Sequence, residues 1–356
     1  MPLSRLLIAP RCYTPPMRRG PLVAILLAAC IVPSHAILKG QTRPLPVLDM
    51  HLHAMAADAQ GPPPLGICLG LVGIPAWDQR GVWAEQFLAW MKKPPCADPV
   101  WSPTSDAALQ EETISTLNRL NIIGVLSGSA ERVARWRQAA TDRFIPGLGF
   151  QIGRDAVTPA DITALHGKGQ LAVLAEVTNQ YAGIAADAAR FEPYLAVAEA
   201  LDIPVGIHIG TGPPGAAHLF PAYRARLHSA LQLEEPLVKH PKLRVYVMHA
   251  GWPLIDDLLA LLWTYRQVYV DVGAIVWALP EPEFYRNLQR IVEAGFGNRV
   301  MFGSDQMIWP GVIEPSIRRI ERAPFLSDAQ KRDILYNNAA RFLRLSQAEM
   351  DRHHDR

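Results

Sequence analysis

Two histidines one residue apart, His51 and His53, close the apolar run VLDMHLH, with Asp49 two residues earlier. Alternate residues of a strand share a face, so both imidazoles can point the same way. Further along, Glu176 in LAVLAEV, His208 in IPVGIHIG, His249 in RVYVMHAG and Asp305 in RVMFGSD also stand near the ends of apolar runs. Four of the eleven histidines fall in such places, too many for scattered packing residues. Glu176 and Asp305 join them inside otherwise apolar segments, where an uncompensated carboxylate is costly. No lysine or arginine occupies these run ends. A divalent metal is the economical counter-ion, and imidazole with carboxylate suits zinc first, with manganese or iron as alternatives.

The elements that must position these groups are legible as a pattern. Eight short apolar runs follow one another: PVLDMHLH, NIIGVLSG, FIPGLGF, LAVLAEV, IPVGIHI, LRVYVMHA, QVYVDVG and RVMFGSD. Each is rich in Val, Ile, Leu or Phe, as buried parallel strands are. Amphipathic stretches fill the gaps, at 104–120, 185–202 and 280–297. Strand and helix alternating eight times predicts an α/β fold, a (β/α)8 TIM barrel, whose active sites sit at the C-terminal ends of the strands. An open doubly wound sheet would want a glycine fingerprint after its first strand, and HLHAMAADAQG is not one. The barrel is expected over 46–345. It includes a long insertion at 54–103, after the first strand, rich in Gly, Pro and Trp and placed to form a lid. Ser327 and Gln330 stand at capping-box spacing, opening a closing helix. The polar tail 346–356 is expected to fray.

With 49% hydrophobic and 19% charged residues and a net charge of +2, the composition is that of a globular protein. It argues against a nucleic-acid surface. Residues 1–36 read as an N-terminal extension with a signal peptide: Arg18 and Arg19, then PLVAILLAACIV, then a small-residue end at Ala36. The expectation is an exported protein, periplasmic or secreted, with no stable membrane span after processing. LAAC offers an alternative, a lipoprotein anchored through Cys30. If Cys12 and Cys30 are lost, Cys68 and Cys96 remain as a pair able to form one disulfide, contributing about 3 kcal/mol.

The ordered set His51-x-His53, His208, His249, Asp305 after FGSD, and the late NNAARFL (337–343) resembles the amidohydrolase superfamily. It is closer to the amidohydrolase-related branch that includes aminocarboxymuconate-semialdehyde decarboxylase. The resemblance spans roughly residues 46–345. It implies that His51, His53 and Asp305 bind a first metal, and that His208 and His249 complete that site or bind a second. Glu176 lies where two-metal members place a bridging carboxylate, and can equally be a residue behind the ligands or one that touches substrate. The chemistry implied is attack of a metal-activated water on an amide, ester or lactone carbonyl. Asp305 would be the general base and then acid, and His249, if not ligating, would polarise the carbonyl.

Around this set, Asp49 is expected to orient a ligand, while Asp271 in VYVDVG either meets substrate or pairs with a neighbour. Arg154, Tyr181 and Trp309 follow the third, fourth and eighth strands and are candidates to contact a small-molecule substrate. GTGPPG (210–215) is a rigid loop beside His208. His166, His218, His228 and His240 receive a surface reading, and Trp77, Trp83 and Trp90 are expected to pack the insertion down. Two competing functions stand beside the hydrolase. A non-oxidative decarboxylase would need a cation to hold a carboxylate, and Arg154 is the only arginine placed near the mouth. A non-catalytic binding barrel would have no need of the metal set. Substrate identity and association into a homo-oligomer are left open.

Overall fold

The structure, a computed structural model, describes residues 44–355. The extension, its export signal and Cys30 lie outside the described residues. Eight strands form one parallel sheet: β1 (Val47–His53), β2 (Ile122–Ser127), β3 (Phe144–Phe150), β4 (Val173–Val177), β5 (Val205–His208), β6 (Val245–Met248), β7 (Tyr269–Asp271) and β8 (Val300–Met301). Each coincides with one of the eight apolar runs, and each pairs with the next in sequence. The barrel is nearly closed. Between β1 and the segment after β8 the backbone bonds are Met50 N to Phe302 O (2.9 Å) and Asp305 N to His51 O (2.7 Å). The side chain of Gln306 extends that seam, accepting from His53 N and donating to His53 O.

Strand alternation divides the apolar residues into two layers. Val47, Ile122, Leu174, Val205 and Val245 pack with helix residues such as Leu109, Leu117 and Trp136, so they face outward. Their neighbours Leu48, Ile123, Val173, Tyr246 and Met301 form the inner cluster, joined by Tyr336 and Phe342 from the C-terminal helices. Simple alternation would place His51 outside, because Leu48 and Met50 belong to the inner cluster. A register shift between Asp49 and Leu52 changes the parity, and Leu52 joins the outer layer. Such a bulge re-aims the residues after it.

The helices agree with expectation in place more than in length. Asp106–Arg119 fills the 104–120 stretch, capped by Ser105. In 185–202 only Glu192–Ala200 is helical, because Pro193 suits a first turn and not a helix interior. Within 280–297 the helix Glu281–Ile291 gives way to a wider turn, Val292–Phe296, where Gly295 takes φ of 88°. The Ser327/Gln330 capping box is present. The tail does not fray: Gln347–His354 is a helix with its own Ser346/Glu349 capping box. Tertiary contact holds it, since His353 is buried, its ring meets Tyr336 Oη at 3.0 Å and its carbonyl accepts from Asn121. No helix among the described residues is long and apolar enough to cross a membrane.

The 54–103 insertion carries structure of its own. Gly66–Ile67 pairs antiparallel with Val100–Trp101, and the helix Trp83–Lys92 lies between them. Cys68 and Cys96 form a disulfide, with Cα atoms 5.9 Å apart. Trp83 and Trp90 are buried as expected, whereas Trp77 is exposed and rests 4.1 Å from the His218 ring. Two indole N–H groups join this segment to loops beyond β5 and β8: Trp83 donates to Pro214 O and Trp309 to Leu65 O, each at 2.9 Å. Gly215 makes the first contact feasible. It has φ of 72°, and a Cβ there would lie 2.2 Å from Trp83 Nε1. Gly215→Ala is therefore expected to cost about 1–3 kcal/mol through overpacking and an unfavourable φ. Urea unfolding read by tryptophan emission checks this, and an unchanged midpoint would contradict the contact.

Candidate metal centre

The end of β1 delivers His51 and His53 to the C-terminal mouth, where both are buried. Asp305, four residues after β8, meets them: its Oδ1 is 2.9 Å from His53 Nε2 and 3.7 Å from His51 Nε2. Its backbone sits at φ of 48°, a region Asp tolerates better than most side chains, and its N–H is tied to His51 O. Across the mouth, Glu176 of β4 points at the remaining histidines. Its Oε1 lies 3.3 Å from His249 Nε2, 3.7 Å from His208 Nε2 and 3.8 Å from His51 Nε2. Its Oε2 is 3.9 Å from His53 Nε2, so one carboxylate faces all four imidazoles. Ser127 Oγ accepts the Glu176 N–H at 2.6 Å and anchors that end of β4.

Residues behind the cluster decide which nitrogens face inward. Asp271 Oδ2 is 3.1 Å from His51 Nδ1, while Oδ1 accepts from His249 N at 3.0 Å and Gly273 N at 2.9 Å. A carboxylate only accepts, so His51 carries a proton on Nδ1 and turns Nε2, the nitrogen available to an ion, toward the mouth. Gly273 O, 2.9 Å from His249 Nδ1, does the same for His249. Asp271 also stands within ligand spacing of both rings. With three N–H groups already on it, it serves as their orienting partner. Asp49 Oδ1 accepts from His51 N and Ser304 N, and burial pushes its carboxyl up to about 6.

Charge is concentrated here. Burial opposes ionisation of Glu176, but His208, His249, His51 and His53 together hold its carboxyl down to about 2. Burial likewise opposes ionisation of Asp305, and His51, His53 and His249 carry it below the ordinary carboxylate range. Burial alone would lower His51, yet Asp305 and Asp271 hold it up to about 10. Burial prevails at His208, pushed down to about 3. Among the described residues no lysine or arginine pairs with Glu176, Asp271 or Asp305. His51 Nε2 is buried without a hydrogen-bond partner, and Asp305 Oδ1 meets only the ring nitrogens of His53 and His51. Two donors each about 2.1 Å from one ion at a tetrahedral angle stand about 3.4 Å apart. The 3.7 Å separation of His51 Nε2 and Asp305 Oδ1, in an anionic and largely buried setting, fits a shared divalent cation. His51/His53/Asp305 and Glu176/His208/His249 each form a group of three with ligand spacing.

All six residues expected as ligands are thus brought together, and so is Tyr181, whose hydroxyl is 2.9 Å from His208 Nε2. The other two substrate candidates are not. Arg154 is exposed in the turn after β3, with no side-chain hydrogen bond or ion pair to a described residue. Trp309 is buried, with its N–H spent on Leu65 O, and packs the insertion instead of facing the mouth. The surface reading also fails for two histidines. His240 is buried between Glu192 (2.9 Å) and Glu199 (3.1 Å), and His228 is buried against Tyr223 Oη. Asp271 resolves toward pairing with a neighbour. Ser127, Gln306 and Gly273 were not singled out beforehand. Each left only a positional trace: Ser127 and Gly273 near the ends of apolar runs, Gln306 just after FGSD.

A family model described as amidohydrolase matches residues 48–345. No curated protein matches the chain. Among solved structures, an uncharacterised TIM-barrel protein from Bordetella bronchiseptica shares 17% identity at TM-score 0.53, over 86% of this chain and 100% of that one. A probable 2-pyrone-4,6-dicarboxylic acid hydrolase from Acinetobacter baumannii shares 17% at TM-score 0.52, over 84% and 99%. A 2,6-dihydroxybenzoate decarboxylase from Rhizobium shares 14% at TM-score 0.50, over 85% and 99%. At these identities the likeness is one of fold.

Proposed function

Because the chain belongs to the amidohydrolase family, whose members are metal-dependent enzymes, we propose that it is a hydrolase cleaving an amide, ester or lactone bond in a small molecule. The observation that carries this reading is the placement of Asp305. One oxygen, Oδ1, sits between His51 and His53, while Oδ2 stands 3.9 Å from His249 Nδ1, toward the other half of the cluster. The carboxylate can therefore contribute one oxygen to an ion and use the other to take a proton from an attacking water. It then returns that proton to the leaving group.

His51, His53 and Asp305 would hold the ion. His208, His249 and Glu176 would complete its sphere or hold a second one. Zinc suits this donor set best, with manganese or iron serving the same residues. When bound, the ion supplies Lewis acidity toward a carbonyl oxygen. His249, with Nδ1 committed to Gly273 O, directs Nε2 at the reacting centre. Glu176 pulls its ring toward the charged form against the effect of burial, so it can donate to a developing oxyanion when it is not a ligand. Arg154, the one arginine expected near the mouth, is exposed in the turn after β3, which favours water attack over holding a substrate carboxylate for decarboxylation. The basic and apolar N-terminal segment supports a periplasmic or secreted location, and the Cys68–Cys96 disulfide agrees with an oxidising compartment.

Elemental analysis of purified protein beside Glu176→Gln tests the centre. Two ions in the parent and one or fewer in the variant is the expected result for a bridging Glu176. One ion in both would place Glu176 outside the ligand set, and no ion after supplementation would overturn the reading. Turnover of lactone and ester panels separates the reactions. Release of CO2 from carboxylated substrates, without any hydrolysis, would replace the hydrolase with a decarboxylase.

A further inference from the structure

Tyr181 lies just beyond β4, in the short turn Gln180–Ala182, with its hydroxyl 2.9 Å from His208 Nε2. That nitrogen is also the one facing Glu176 Oε1, at 3.7 Å. The other ring nitrogen, Nδ1, is buried and has no hydrogen-bond partner, so His208 meets the cluster only through Nε2. In the tautomer that leaves Nε2 free to ligate, the proton is on Nδ1 and the tyrosine hydroxyl is the donor. One lone pair cannot serve a hydroxyl and an ion together.

The ring is held in this position. Tyr181 stacks on Tyr223 at 5.6 Å and lies 4.6 Å from Phe220. Tyr223 Oη is in turn fixed by Gly212 N (2.7 Å) and Gln180 Nε2 (3.2 Å). A Cβ at Gly212 would stand 3.0 Å from Tyr181 Cε1, a tight approach that would press on the ring. A tyrosine hydroxyl carries its proton at neutral pH and so can donate.

We propose that Tyr181 is a positioning residue that holds His208 Nε2 by a hydrogen bond and must release it before His208 can ligate an ion. It thereby sets the affinity of the Glu176, His208 and His249 half of the centre. The proposal rests on the metal-centre reading above.

Tyr181→Phe keeps the ring and deletes only the hydroxyl. Titration of metal-free protein with zinc by calorimetry, and with cobalt by visible absorption, should show the ion that uses His208 binding about five-fold more tightly, equivalent to about 1 kcal/mol. The change should vanish in a His208→Ala background, which a merely structural role would not require. In the unmodified protein, ion binding should also perturb the tyrosine ultraviolet difference spectrum, and that component should be absent from His208→Ala. Unchanged or weaker binding in Tyr181→Phe, the same change without His208, or no tyrosine perturbation would each overturn the proposal. Ions bound with equal affinity by parent and variant would leave the metal centre standing. No ion bound by either would overturn both.

Discussion

Asp305→Asn is expected to lower kcat by about a thousand-fold, within the range for loss of a general acid–base group. The substitution preserves shape and leaves an amide oxygen where Oδ1 now lies near His51 and His53. What it removes is the capacity to accept a proton. KM should change much less than kcat, because substrate binding does not use that proton transfer. The measurement is steady-state kinetics on variant enzyme saturated with metal and verified by elemental analysis. A fully loaded Asp305→Asn protein with near-parent kcat would remove Asp305 from the base role.

Asp271→Asn is expected to weaken metal binding about 10–100-fold, although Asp271 sits behind the ligands. Its two oxygens accept from His249 N, Gly273 N and His51 Nδ1. An asparagine has one acceptor oxygen. If that oxygen keeps the two backbone amides, the NH2 group faces His51 Nδ1. The imidazole must then move its proton to Nε2, the atom that now points at Asp305 and Glu176. A protonated Nε2 cannot ligate, and the variant's ligand set is one residue short in its favoured tautomer. Competition with a chromophoric chelator reads the affinity, and parent-like affinity would mean that His51 does not depend on Asp271 for its tautomer.

These variants separate what was legible in the chain from what was not. The six residues that meet at the mouth were legible because a strand delivers its last inward residues to the mouth of a barrel, and strand ends can be read from apolar runs. Each of the eight runs proved to be a strand, since burial on both faces leaves a continuous apolar signature. Helix lengths were less legible. Pro193 and Gly295 shorten or widen segments whose apolar spacing continues through them. Nearness to a strand end says nothing of side-chain direction, as Arg154 and Trp309 show. One points to solvent and the other into the insertion.

The sequence alone determined the barrel, the order of its strands and the set of imidazoles and carboxylates at their C-terminal ends, because periodicity and strand polarity are local properties. Tertiary structure decided which nitrogen of each histidine faces the mouth, that Asp271 orients His51 across 220 residues, and that Tyr181 occupies His208. It also decided that His240 is buried and that the C-terminal helix is held through a buried His353. The reason is physical: a tautomer, a hydrogen-bond partner and the burial of a polar group depend on atoms brought near by folding, and none leaves a period in the chain.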